Sequence, residues 1–183
     1  MGIWSCLGVT LDEVRDSLYS GKSGIVLDQA RKEMGFRSGL TSYVPLPDLK
    51  KELPRAQRVY MPEPALYAYC ATRDALAQAR IDQEYLDAHE VGLLYGNDST
   101  AKAVYDSIAK IREKNDTMLC GSGAIFQSMN STVTMNLGVI STSRVSTSPF
   151  PALAPAVPTL SAWELCSFRT VCRIWWSVAV PRR

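Results

Sequence analysis

Apolar residues recur at helical spacing in several stretches, separated by segments broken with glycine and proline. The first stretch follows Thr10. Leu11, Val14 and Leu18 stand at i, i+3 and i+7, which predicts one face of an α-helix. Thr10-Leu11-Asp12-Glu13 reads as a capping box, with the threonine hydroxyl and the glutamate carboxylate each taking a backbone N–H of the first turn. Gly21 and Gly24 end that helix. Residues 35–55 carry Gly35, Gly39, Pro45, Pro47 and Pro54 and read as loops with short extended pieces. An alanine-rich helix is predicted from Pro62 to Arg80, its prolines tolerable in the first turn. Along it Ala65, Ala68, Ala71, Ala75 and Ala79 allow close approach of a neighbour. Glu90 to Gly96 reads as a short buried strand ending in a glycine turn. Ser99 or Thr100 can cap the next helix, whose apolar face is Val104, Ile108 and Ile111. A last helix is predicted over Ala124 to Leu137. Helices alternating with apolar strands place the chain in the α/β class.

Composition adds a seam. The 183 residues are 46% hydrophobic and 21% charged, enough to bury a core, and this excludes a wholly disordered or fibrous chain. Residues 1–140 hold 17 of the 18 acidic and 15 of the 20 basic residues, a net charge of −2. Residues 141–183 hold one acid, Glu164, and five arginines, a net charge of +4. That second segment has no Lys, Asp, Asn, Gln, Gly or Tyr, yet it carries five of the ten prolines and three of the four tryptophans. So abrupt a change indicates two segments of different origin.

Most specialised chemistries are excluded. The arginines after residue 140 are scattered, whereas a phosphate-tracking surface needs clustered cations, so no nucleic-acid partner is expected. No apolar run reaches the roughly 20 residues of a membrane span. The start has no basic region leading into an apolar stretch, and Cys6 stands where a myristoylation pattern requires Ser or Thr, so a cytoplasmic protein is expected. The five cysteines are widely spread with no CxxC pair, and read as reduced thiols rather than a metal or disulfide framework. Gly21-Lys22-Ser23-Gly24 is not a phosphate loop, because Asp16 occupies the first glycine position and no strand precedes it. His89, the one histidine, lies between Asp87 and Glu90 and reads as a solvated surface residue.

Gly2-Ile3-Trp4-Ser5-Cys6-Leu7-Gly8 leads into the capped helix and then Gly21-Lys22-Ser23-Gly24-Ile25. Arg58-Val59-Tyr60-Met61 precedes the alanine-rich helix, and Val91 to Gly96 follows it. Last comes Gly121-Ser122-Gly123-Ala124-Ile125-Phe126-Gln127-Ser128-Met129-Asn130-Ser131-Thr132-Val133-Thr134-Met135-Asn136-Leu137. In this order over residues 1–140, these phrases resemble the N-terminal part of the β-ketoacyl-acyl-carrier-protein synthases, condensing enzymes of the thiolase fold. The resemblance implies a partial α/β thiolase-like half over 1–140 that lacks the family's first strand and nucleophile strand. It implies acyl transfer to a cysteine and decarboxylative Claisen condensation in fatty-acid or polyketide synthesis. An acyl carrier protein and a homodimer partner are implied, with no metal and no cofactor. Phe126, Met129 and Val133 are expected near an acyl chain or the dimer interface; the alternative is plain helix core. Arg80 stands where a glycine usually follows the alanine-rich helix, and a left-handed backbone there would cost a side chain about 1 kcal/mol.

The chain departs from the family after Ile140. The family has a strand ending in a phrase like Ala-Cys-Ala-Ser-Gly-Ser-His, and none of the five cysteines stands in that context. The two histidines and the lysine that complete the family's machinery are also absent, so no catalytic residue is assigned. A shifted reading frame accounts for the change. Codons for Leu153 to Thr159 exist that, read from the third base, give Cys-Ala-Ser-Gly-Ser-His. Val145 to Pro149 treated alike gives Ile-Asn-Phe-Thr, and Arg173 to Val180 gives Asp-Met-Val-Val-Ser-Gly-Gly. One lost base near the codons of Ile140 and Ser141 would do it. The alternatives are a natural Pro/Ser-rich tail with Trp175-Trp176 as a partner anchor, and a non-enzymatic interaction module or heterodimer partner of an intact synthase. With strands missing, open sheet edges predict poor solubility.

Overall fold

The computed structural model describes residues 1–89, 92–93, 95–97, 101–129, 131–141 and 146–147. Helix α1 spans Leu11–Tyr19. Its capping box forms as predicted: Glu13 N–H donates to Thr10 Oγ1 at 3.2 Å, and Thr10 N–H donates to Glu13 Oε2 at 3.3 Å. The buried face differs from the predicted one. Val14 and Ser17 are buried, whereas Leu11 and Leu18 are exposed. The Ser17 hydroxyl donates to the Leu7 carbonyl at 2.7 Å and turns that face onto the tight Ser5–Gly8 bridge. Gly21, at φ +67°, closes the helix.

The loop region holds an antiparallel hairpin. Strand β1 spans Ile25–Leu27, the short helix α2 Gln29–Glu33 and strand β2 Leu40–Ser42, with Ile25 opposite Ser42 and Leu27 opposite Leu40. Helix α3 is Arg55–Arg58, and α4 is Glu63–Ala79, with Pro62 as its N-cap and Pro64 in its first turn. Ala65, Ala68, Ala71 and Ala75 are buried, while Ala79 lies exposed past the packed stretch. The small side chains let Gly2 lie against the α4 backbone, where an added Cβ would collide with the Ala71 carbonyl. Arg80 ends α4 at φ 56° and ψ 36°, the left-handed conformation that glycine adopts freely.

Helix α5 spans Gln83–Ala88, capped by the Asp82 carboxylate, which accepts from Tyr85 N–H at 2.9 Å. Strand β3 is Gly92–Leu93 and α6 is Ala101–Lys114. The predicted cap at Ser99 or Thr100 lies outside the described residues. The apolar face of α6 is present but uncovered: Val104, Ile108 and Ile111 are exposed, and Ala103 and Ser107 are the half-buried positions. The 3₁₀ turn Met118–Cys120 sits on that other side, where the Cys120 thiol donates to Ser107 O at 3.6 Å.

The single helix expected over Ala124 to Leu137 is two. Helix α7 is Gly123–Gln127 and α8 is Thr132–Ser141. The break has a local cause, since the Ser128 hydroxyl donates to Ile125 O at 2.7 Å and satisfies the end of α7. Helix α8 then runs through Gly138 to Ser141, whose carbonyl accepts from Gln83 Nε2 at 3.0 Å. Strand β4, Ser146–Thr147, pairs parallel with β3, Gly92 opposite Ser146 and Leu93 opposite Thr147. The remainder of the compositionally distinct segment, with Trp175 and Trp176, lies outside the described residues.

The fold is α/β, rich in helices with short strands. Its core joins α4 to α8: Met61, Ala65, Ala68 and Cys70 meet Val133 and Leu137, with Leu49, Leu53 and Tyr95 closing the sides. Among the described residues no helix is long and apolar enough to cross a membrane.

Candidate functional site

The two amide side chains of α7 and α8 fasten the segment between α3 and α4. Gln127 Nε2 donates to the Val59 carbonyl at 2.6 Å, and Asn136 Nδ2 donates to the Tyr60 carbonyl at 3.2 Å. Asn136 is buried, and its amide also donates to Thr132 O at 2.7 Å. Tyr60 meets the ring of Phe126 edge to face, with centroids 5.8 Å apart and planes at 81°.

This arrangement separates the three residues expected near an acyl chain. Phe126 and Met129 stand together on the surface, 40% and 45% exposed. Val133, in α8 beyond the break, is fully buried in the α4–α8 core. Phe126 and Met129 thus form an exposed apolar edge beside Tyr60, with Val133 as the packing beneath. Two of the clefts among the described residues lie elsewhere. One, about 740 Å³, opens beside the Ser5–Val9 turn and is lined by Cys6, Glu13, Asp16 and Lys22. The other, about 410 Å³, lies between Tyr43, Tyr67, Glu63 and Lys102, where the last two form an ion pair.

The described thiols lack the environment of a nucleophile. Cys70 is inside α4 and 1% exposed, and burial pushes its thiol up to about 11, against a smaller lowering by Arg73. Cys120 is engaged with Ser107 O. Cys6 sits in the Ser5–Gly8 turn with its sulfur against Gly24, ahead of the Thr10 cap rather than at a helix N-terminus. None of these three follows a strand and opens a helix, the geometry that lowers a thiol pKa through backbone N–H groups. His89 is exposed, as expected, its ring stacked on Tyr85 at 4.0 Å. The pairing of Arg73 with both oxygens of Glu52, at 2.8 and 2.7 Å, was not foreseen; it ties the segment before α3 to α4.

No family model matches the sequence. Curated relatives do. The chain is 34% identical over 98 residues to 3-oxoacyl-[acyl-carrier-protein] synthase 1 of Buchnera aphidicola subsp. Acyrthosiphon pisum, a match covering 53% of this chain and 24% of the relative. Identity, length and coverage are the same for the enzyme of that name from Escherichia coli K12. A β-ketoacyl synthase crystal structure from Burkholderia phymatum STM815 superposes with a TM-score of 0.74 at 20% identity, covering 91% of this chain and 42% of that one. The chain is similar to part of the β-ketoacyl synthases. It matches about a quarter of the length of its curated relatives. The type II polyketide ketosynthase AntDE, solved with its acyl-carrier protein AntF and bound to the hexaketide, is similar in fold with a TM-score of 0.61 at 14% identity.

Proposed function

We propose that residues 1–140 are the N-terminal part of a β-ketoacyl-acyl-carrier-protein synthase, that residues 141–183 are read in a shifted frame, and that this chain performs no condensation itself. The observation that carries the reading is the mismatch between relatives and thiols. Ninety-eight residues match condensing enzymes, whose chemistry proceeds through an acylated cysteine, while the described thiols are core-buried, engaged or set in a turn. The composition seam supports the shifted frame: residues 141–183 hold no Lys, Asp, Asn, Gln, Gly or Tyr, yet carry five of the ten prolines and three of the four tryptophans. An intact product of the locus would take an acyl chain from an acyl carrier protein, act as a homodimer in the cytoplasm, and build fatty acids or polyketides. In that product Phe126 and Met129, backed by Val133, would line the acyl chain or the dimer contact.

Thioester trapping tests the claim for this chain. The purified protein, incubated with radiolabelled acyl-carrier protein and quenched in acid, is expected to carry no label above a heat-denatured control. Stoichiometric, hydroxylamine-sensitive labelling would refute it. A second reading, a non-enzymatic partner of an intact synthase, draws support from the uncovered apolar face of α6. Co-purification of the chain with a full-length synthase would favour that reading.

A further inference from the structure

We draw no further inference here: the strongest candidate, the exposed apolar face that Ile25, Leu27 and Leu40 form on the β1–β2 hairpin, carries nothing because nothing in the structure shows what covers it.

Discussion

The backbone N–H of Ile81 reaches the carbonyl of Leu76 at 3.0 Å and closes the turn that holds Arg80 left-handed. Arg80 N–H donates in parallel to Ala77 O at 3.1 Å, which completes a Schellman end for α4. Arg80 carries a Cβ where the geometry favours none. Arg80→Gly should therefore raise stability by up to about 0.6 kcal/mol, the relief of about 1 kcal/mol of strain less the roughly 0.4–1 kcal/mol of glycine's added freedom in the unfolded chain. Chemical denaturation of the two proteins checks this; a loss of stability would show that the arginine side chain contributes more than its backbone costs.

Asn136 is the buried tie between α8 and the start of α4. Asn136→Leu keeps the volume but leaves the Tyr60 carbonyl without its amide donor, a cost of about 1–3 kcal/mol. The same change at Gln127, half-buried and with its bond to the Val59 carbonyl in an exposed setting, should cost less. Urea melts of both variants rank them, and equal costs would mean that the Asn136 contact contributes no more than a surface one.

Cys70 makes stability pH-dependent in the alkaline range. Burial raises its thiol from the ordinary 9.0 to about 11, so the folded state holds the proton more tightly than the unfolded one. The stabilisation is present in full below pH 9 and is lost as pH climbs toward 11. Tyr95, also raised by burial, acts in the same direction. Cys70→Ala should flatten the decline between those limits. Native alkylation at neutral pH should spare Cys70, and mass spectrometry of the digested protein reads this directly.

The uncovered α6 face should limit solubility. Replacing Ile108 and Ile111 by Lys and Glu removes exposed apolar surface without touching the α4–α8 core. The soluble fraction on expression should rise, with the melting temperature shifted by no more than a few degrees. A large drop in melting temperature would mean that this face is covered by the chain itself.

Local chemistry was legible where a few neighbouring residues settle it. Thr10 and Glu13 announced the capping box, and Pro62 to Arg80 announced α4 with its strained end. Packing was less legible. The Leu11, Val14 and Leu18 spacing named a helix face, but the Ser17–Leu7 bond, between residues ten apart, rotated the buried side to Val14 and Ser17. The α7–α8 break was masked because Ala124 to Leu137 is apolar at helical spacing throughout, while one serine hydroxyl decides where α7 stops. At the candidate site the same spacing placed Phe126, Met129 and Val133 on one helix. The break sets the first two on the surface and the third in the core. The amide ties of Gln127 and Asn136 to Val59 and Tyr60 span 68 and 76 residues, and no local pattern signals them.

Sequencing the genomic DNA across the codons for Gly138 to Thr147, on both strands, tests the central claim most directly. One additional base is the predicted result. It would replace residues 141–183 by a strand leading to Cys-Ala-Ser-Gly-Ser-His and restore a condensing-enzyme nucleophile. A sequence that stands unchanged on both strands would contradict the shifted frame and leave the locus encoding this chain as it is.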